Sequence, residues 1–249
     1  MKERTKNIII CVLIWLAVAI LAGYCIFAII MFGSKEEPTL CKNIVIDIDD
    51  KYNFIQEEEI IKTLKRNKIY PTNKPISHKD ADKIEKVLSK LSLSKEVECY
   101  IGDSTLYIDI TQRKPVYRVF TKNNESYYVD SDRKIMPTSK NFTAKVPIAL
   151  GHIDKIEATE EVYDIITYLE EDKYWNSLFK QIYVTQDKEL IFISKQGVEE
   201  ILLGDIKNYK EKLEVLKKWY EQYPERNCDT LYSRINLKFE NLIYCTRKK

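Results

Sequence analysis

The chain opens with a long apolar segment, and shorter apolar and polar stretches alternate through the rest of it. Residues 8–32 read IIICVLIWLAVAILAGYCIFAIIMF and contain no charged side chain. At about 1.5 Å per residue, a helix of this length exceeds the roughly 30 Å hydrocarbon core of a bilayer. We therefore predict a single N-terminal transmembrane helix over 8–32, followed by a short charged linker over 33–40.

Charges beside the apolar segment predict its orientation. Lys2, Arg4 and Lys6 lie in the tail of residues 1–7, and an excess of Lys and Arg keeps a short flank in the cytoplasm. The C-terminal bulk of the chain is then expected outside the cytoplasm. A cleaved signal peptide is disfavoured, because its apolar run spans only about 7–15 residues.

Residues 41–112 have the pattern of a small α+β unit. Isoleucines alternate with polar neighbours over 44–48, as in a half-buried strand. Apolar positions at helical spacing come next over 54–66 and again over 81–91, with a turn through the prolines and asparagine of 71–75. These patterns predict one strand and two helices.

Local signals define the second helix and the pair of strands behind it. Ser77, three residues before Asp80, is typical of a capping box at a helix start. Two strands are predicted over 97–101 and 105–111, joined by a turn at Gly102-Asp103. The order strand, helix, helix, strand, strand resembles a POTRA domain, a module of extracytoplasmic proteins that contacts other polypeptides.

Residues 113–249 consist mostly of short apolar alternations that predict strands. We expect helices over 160–169 and 204–222. The strands are expected over 115–120, 127–130, 135–137, 146–151, 181–185, 189–194, 198–203, 231–239 and 242–246. The predicted fold class is therefore α+β: a transmembrane helix, a small POTRA-like βααββ domain, and a larger antiparallel β domain with two helices.

Charge and composition exclude some functions. The chain has 40 Lys and Arg against 38 Asp and Glu, and the two signs are interspersed. No long basic block marks a surface for nucleic acid. We therefore expect no nucleic-acid partner and, because no catalytic pattern is found (below), no small-molecule substrate.

No catalytic residues, cofactor-binding residues or metal ligands are predicted. The two histidines, His78 at a helix start and His152 after a strand, are typical of surface or capping residues. The stretch from Asp47 to Glu58 superficially matches a calcium loop, but Tyr52 occupies the position that requires glycine. There is also no zinc spacing and no glycine-rich phosphate loop.

The cysteines leave two interpretations open. Four of them lie beyond the predicted anchor: Cys41, Cys99, Cys228 and Cys245. Outside the cytoplasm disulfides can persist, and four cysteines allow three pairings. A Cys228–Cys245 disulfide is plausible because both belong to the C-terminal unit. Alternatively, the cysteines are small buried apolar residues.

Several short motifs behind the POTRA-like unit are similar to those of the FtsQ/DivIB family of bacterial cell-division proteins. They are QRKP at 112–115, YYVD at 127–130, MPTS at 136–139, VPI at 146–148 with Gly151, Leu203-Gly204, and INLKFENLI at 235–243. Arg133 stands where the family usually has glycine, and Asn236 and Lys238 stand for Asp and Arg in the closing strand. The resemblance covers nearly the whole chain.

The resemblance implies a non-enzymatic scaffold of the divisome. It would span the inner membrane once, lie mostly in the periplasm, concentrate at the division septum and help to control septal cell-wall synthesis. Its C-terminal region would bind FtsB of the FtsB–FtsL coiled coil and other divisome membrane proteins. The partner-binding residues expected there are Phe239, Leu242, Ile243, Tyr244 and Cys245.

Alternation of side chains along the last strand qualifies this expectation. Leu242 and Tyr244 should face one side of the strand, and Ile243 and Cys245 the other. One set can therefore pack into the core while the other remains available to a partner. Two other functions stay open as alternatives: a POTRA-containing component of outer-membrane protein assembly or secretion, and a membrane-anchored cell-wall hydrolase.

Overall fold

The computed structural model of the chain describes residues 2–32, 38–49, 51–194, 200–222, 232–239 and 242–248, with the side chains of the first helix described for residues 13–28. That helix, α1, runs over Lys2–Phe32 and includes the whole predicted anchor. Within the part of the chain whose side chains are described, which for α1 is residues 13–28, no helix is long and apolar enough to cross a membrane.

The elements after α1 form the POTRA-like unit. In chain order they are β1 (Thr39–Cys41), β2 (Asn43–Ile48), α2 (Glu57–Arg66), β3 (Lys74–Ile76), α3 (His78–Leu88), β4 (Ser94–Gly102) and β5 (Thr105–Gln112). The main sheet has the order β2-β5-β4, with β5 parallel to β2 and antiparallel to β4. This is the predicted strand–helix–helix–strand–strand order.

The small sheet of β1 and β3 was not predicted from the sequence. Thr39 pairs with Ile76 and Cys41 with Lys74, so the chain is already paired within the predicted linker. Pro75 lies inside β3. Proline has no N–H to donate to a neighbouring strand, so within sheets it is tolerated mainly in edge strands such as this one. Strands of three residues are too short to show alternation.

The capping box predicted for α3 is confirmed. The backbone N–H of Ser77 donates to Oδ2 of Asp80 at 3.2 Å, and the Ser77 hydroxyl donates to the same oxygen at 2.8 Å. The hairpin between β4 and β5 turns one position later than predicted. Asp103 (φ 46°) and Ser104 (φ 65°) are its two central residues, and two positive φ values are typical of a type I′ turn.

The remaining elements form the β domain. They are β6 (Pro115–Thr121), β7 (Ser126–Asp130), β8 (Ile135–Pro137), β9 (Ile148–Gly151), α4 (Lys155–Thr159), α5 (Glu161–Glu171), α6 (Lys173–Leu178), β10 (Phe179–Val184), β11 (Leu190–Ser194), β12 (Glu200–Gly204), α7 (Tyr209–Gln222), β13 (Tyr232–Asn236) and β14 (Tyr244–Arg247). The nine strands that the structure describes in this domain form one sheet in the order β14-β13-β12-β11-β10-β9-β6-β7-β8.

The prediction of an antiparallel sheet holds for most strand pairs but not for all of them. The β6–β9, β9–β10 and β12–β13 pairs are parallel. A parallel pair requires a crossover between its strands. The β12–β13 crossover contains α7, and the β9–β10 crossover contains α4, α5 and α6.

The β domain has four helices among the residues described, so the predicted number of two was wrong. The additional α4 and α6 have only five and six residues, too few to repeat an apolar period. Each begins at an aspartate cap: Asp154 Oδ1 accepts from the Ile156 and Glu157 N–H groups at 2.9 Å, and Asp172 Oδ1 accepts from Tyr174 N at 2.8 Å. The predicted helix from residue 204 begins at Tyr209 instead.

The described residues form two apolar cores, one inside the β domain and one inside the POTRA-like unit, and the latter includes the domain junction. Tyr128, Met136 and Ala144 of the β domain are buried in the same cluster as the helices of the POTRA-like unit. Phe54 contacts Tyr128 and Phe142 edge-on, with ring centroids 5.7 and 5.0 Å apart. Aromatic pairs of this geometry contribute about 0.5–1.5 kcal/mol each beyond burial. The two domains are thus packed against each other.

The buried side chain of Gln112 explains why α2 starts at Glu57 and not at the predicted residue 54. Its Oε1 accepts from the backbone N–H groups of Phe54 and Ile55, both at 3.0 Å. Its Nε2 donates to the carbonyl oxygens of Asp49, at 2.6 Å, and Tyr52. These bonds fasten Asp49, Tyr52, Phe54 and Ile55 to the end of β5, ahead of α2.

Candidate partner-binding surface

The predicted partner-binding residues lie at one end of the nine-stranded sheet. β14 pairs with β13 in antiparallel register, Cys245 opposite Ile235 and Tyr244 opposite Asn236. No second strand among the residues described pairs with β14. An edge strand presents backbone N–H and C=O groups that another chain can extend by strand addition.

Residues 242–245 divide between the two faces as the alternation predicted. Ile243 and Cys245 pack against the core of the β domain. Leu242 and Tyr244 are 54% and 55% exposed, and Phe239 is 54% exposed. The Phe239 and Tyr244 rings meet edge-on with centroids 5.3 Å apart. The outward set, Phe239, Leu242 and Tyr244, is hereafter called the terminal apolar patch.

A groove of about 400 Å³ adjoins the terminal apolar patch, between the start of α7 and the end of β13. Val215 and Leu237 line it on the apolar side, together with Phe239 and Leu242 of the patch. Its polar wall is formed by Asp205, Lys207, Asn208, Glu211, Lys212 and Lys238. No sequence pattern indicated this groove, because its two walls lie more than 20 residues apart in the chain.

Lys212 fixes the loop that leads into α7. Its side chain is only 10% exposed, and its Nζ donates to the carbonyl oxygens of Leu203 at 3.0 Å and Asp205 at 3.2 Å. It also lies 2.8 Å from Oδ1 of Asp205. This bond and the charge of Lys212 hold the pKa of Asp205 below its ordinary value. Lys212 therefore holds this wall of the groove in place, and its amino group is already bonded to Leu203 and Asp205.

The base of the patch is fixed by Gly204 and Lys238. Gly204 has a φ of 81°, and a Cβ atom there would lie 2.8 Å from Cγ of Lys238. The aliphatic stem of Lys238 therefore crosses Gly204 at close range, and its Nζ forms an ion pair with Glu189. Only glycine accepts both the left-handed backbone and this approach.

The cysteine and metal predictions have separate outcomes. Cys228 lies outside the described residues, so the Cys228–Cys245 disulfide stays a prediction. Residues 240–241, which separate the last two predicted strands and were expected to form the turn between them, also lie outside the described residues. Cys41 is buried, and its Sγ lies 3.2 Å from the carbonyl oxygen of Asn43. In the described part of the chain, no three His, Cys, Asp or Glu side chains converge on a point that could hold a metal ion.

The fold and this surface define the class of protein: a two-domain interaction protein in which a POTRA-like unit is packed against a β domain. A family model described as FtsQ/DivIB, C-terminal related, matches residues 114–246, and one described as POTRA-like domain matches residues 39–111. The chain belongs to the FtsQ/DivIB C-terminal related family. A comparison with curated proteins finds no match.

This membership confirms the family predicted from the motifs. Domains of these two kinds are typically non-catalytic, and they support a scaffold role in cell division. The α+β class is likewise confirmed, as a POTRA-like domain followed by a larger, mostly antiparallel β domain with helices.

Proposed function

We propose that this protein is a scaffold of the bacterial divisome that binds an FtsB/FtsL-type partner at the terminal apolar patch and the free edge of β14. Through that contact it would help to control septal cell-wall synthesis. The observation that carries the proposal is the placement of Phe239, Leu242 and Tyr244, which are all more than half exposed beside an edge strand.

The free edge of β14 offers two kinds of binding at once. Backbone groups of β14 supply affinity for an added strand, and alternate side chains supply specificity. Exposed aromatic residues such as Phe239 and Tyr244 are enriched at the centres of interfaces, because they bury a large area with few rotatable bonds. The adjoining groove enlarges the contact area to include the start of α7.

The proposal places residues 8–32 in the inner membrane, with residues 1–7 in the cytoplasm and the folded domains in the periplasm. Exposure of large apolar side chains along α1 supports this arrangement. Leu13, Trp15, Leu21 and Phe27 are each more than half exposed, and together they leave an apolar surface that water disfavours. Concentration at the division septum is part of the same proposal.

A co-purification experiment tests the binding surface. The outward positions are changed to Leu242→Glu and Tyr244→Glu in the full chain, and a tagged FtsB-type protein of the same cell is used as bait. Both variants should lose co-purification, because each buries a carboxylate in the contact. Ile156→Glu is the matched control, since Ile156 is an exposed apolar residue on α4 of the same domain.

Retention of the partner by both glutamate variants would rule out the patch as the binding site. Substitution of Ile243 is unsuitable for this test, because that residue packs against the core and a charge there would disturb the fold.

A fluorescent fusion of the unaltered chain tests the cellular role. Enrichment at midcell during constriction is expected, and a uniform envelope signal would contradict a role in division.

A further inference from the structure

A second surface, on the POTRA-like unit, is distinct from the terminal apolar patch. The helices α2 and α3 cover one face of the β2-β5-β4 sheet, where they bury Ile60, Leu64 and Ile84 with the inward side chains of β5. The opposite face of the sheet carries two cross-strand rows of side chains. We call it the open sheet face.

The first row on the open sheet face is apolar and aromatic. Val45 of β2 lies opposite Tyr107 of β5, and Tyr107 lies opposite Tyr100 of β4. The two tyrosine rings are stacked, with centroids 5.0 Å apart and planes 9° apart. Val45 and Tyr100 are 45% and 48% exposed. The row therefore presents flat aromatic surface to solvent at the centre of the sheet.

The second row is acidic. Asp47 of β2 lies opposite Asp109 of β5, and Asp109 lies opposite Glu98 of β4. None of these three carboxylates forms an ion pair with another residue that the structure describes. Like charges directly opposite on neighbouring strands destabilise a sheet. The row thus places like charges side by side, and no ion pair among the described residues neutralises them.

The two rows are adjacent and act on each other. Partial loss of water and the carboxylate of Asp109 raise the pKa of Tyr100 above its ordinary value, with a smaller contribution from Asp47. The Tyr100 ring therefore lies close to the negative charge of the second row. A ligand seated across both rows would meet an aromatic face and, one residue pair further along the strands, a line of carboxylates.

We propose that the open sheet face docks an extended, arginine-bearing segment of a partner protein. A guanidinium group fits both rows, because it stacks flat on aromatic rings and pairs with carboxylates through two parallel N–H bonds. Lysine satisfies the carboxylates but lacks the planar group that stacks on tyrosine. The occupant is thus cationic, and arginine is preferred over lysine.

Binding of synthetic peptides to the full chain in detergent micelles tests the proposal. The probe is a fluorescein-labelled peptide of alternating arginine and serine, measured by fluorescence anisotropy at several salt concentrations. The face variant carries Asp47→Asn, Glu98→Gln and Asp109→Asn. The control variant carries Glu57→Gln, Glu58→Gln and Asp82→Asn, which removes the same charge from exposed helix positions of the same unit.

The face variant should bind the arginine peptide about tenfold or more weakly than the unaltered chain, because several charge-assisted bonds are lost. The control variant should bind it almost unchanged. A lysine peptide should bind the unaltered chain roughly threefold more weakly than the arginine peptide, and Tyr100→Ser should abolish that difference. This last readout isolates the stacking from the charge.

Three peptide-binding results would overturn the proposal. They are an unaltered chain that fails to bind the arginine peptide, a face variant that binds it as well as the control variant does, and equal affinity for the arginine and lysine peptides. Concentration-dependent dimerisation that is lost in the face variant would make a second copy of the chain the occupant, and would also overturn it.

Discussion

Nε of Arg113 lies 2.7 Å from Oδ2 of Asp130, and this ion pair fastens the segment between the two domains to the end of β7. The two side chains are 11% and 3% exposed. Arg113 also donates to the carbonyl oxygens of Ser92, at 2.9 Å, and Ile135, at 3.0 Å. One side chain thus joins the POTRA-like unit, the domain junction and two strands of the β domain.

Removal of Asp130 is expected to destabilise the fold strongly. Asp130→Ala leaves a buried guanidinium without its charge partner, at a cost of about 3–5 kcal/mol. It also removes Oδ1, which accepts from the backbone N–H groups of Asp132 at 3.0 Å and Lys134 at 2.7 Å. Urea unfolding of the full chain, followed by near-ultraviolet circular dichroism, measures the loss.

An exposed ion pair beside the same junction provides the control. Lys95 and Asp132 are 3.1 Å apart, with side chains 44% and 41% exposed. Asp132→Ala should therefore change the free energy of unfolding by about 1 kcal/mol at most. Similar losses for Asp130→Ala and Asp132→Ala would show that burial does not decide the strength of the pair.

Elements with a periodic apolar pattern could be predicted from the sequence, whereas contacts between residues far apart in the chain could not. Alternation located β2, β6 and β7, and helical spacing located α3 and α5, because each has one buried face. Gln112 was noted only as part of a family motif. Its role depends on backbone groups 57 and 58 residues away, and no local pattern records them.

Arg133 shows how the structure explains a departure from the family motif. Its φ is 58°, in the left-handed region that glycine, the family's usual residue here, adopts without steric strain. Its guanidinium lies 4.3 Å from the centre of the Tyr163 ring and 2.5 Å from Oδ1 of Asp164. These contacts between β7–β8 and α5 offset backbone strain, and sequence spacing alone could not reveal them.

A methyl group at Gly151 is expected to distort the parallel pairing of β9 and β10. Gly151 has a φ of 106°, and a Cβ atom there would lie 2.2 Å from the backbone oxygen of Val184. Backbone cannot yield as a flexible side chain does, so Gly151→Ala should cost more than the roughly 1–3 kcal/mol of an unfavourable φ alone. Thermal unfolding of the full chain measures the cost.

Gly102 provides the matching control for this substitution. A Cβ atom at Gly102 would lie 3.5 Å from Cε2 of Tyr107, an ordinary van der Waals contact, and its φ is not positive. Gly102→Ala should therefore shift the unfolding temperature little. A large shift in unfolding temperature for Gly102→Ala, with none for Gly151→Ala, would contradict this account of the β9–β10 pairing.

The Asp154 cap of α4 is expected to make stability depend on pH at the acid end. Backbone N–H bonds from Glu157 and Ile156 hold the pKa of Asp154 below its ordinary value of 3.8. A lowered pKa in the folded state means that the contribution is fully present above the unfolded value. It is lost as the pH falls through the lower, folded value.

Comparison with Asp154→Asn isolates this contribution. Asparagine keeps an acceptor for the cap but does not titrate, so the variant should be less stable than the unaltered chain at neutral pH. The difference in the free energy of unfolding should shrink as the pH falls below about 3.8. A difference that stays constant from neutral to acid pH would mean that the charge of Asp154 contributes nothing.

Neutralising the centre of the acidic row on the open sheet face should stabilise the protein in the absence of any partner. Asp109 lies opposite both Asp47 and Glu98, so Asp109→Asn removes two unfavourable cross-strand pairs at once. The expected gain is about 0.2–1 kcal/mol for each pair, and it should diminish as salt screens the charges. Urea unfolding of the full chain at low and high salt measures it. Asp82→Asn, an exposed change on α3, should give no comparable gain. If Asp109→Asn lowers stability at both salt concentrations, the carboxylate stabilises the sheet and the row carries no cost for a cationic partner to relieve.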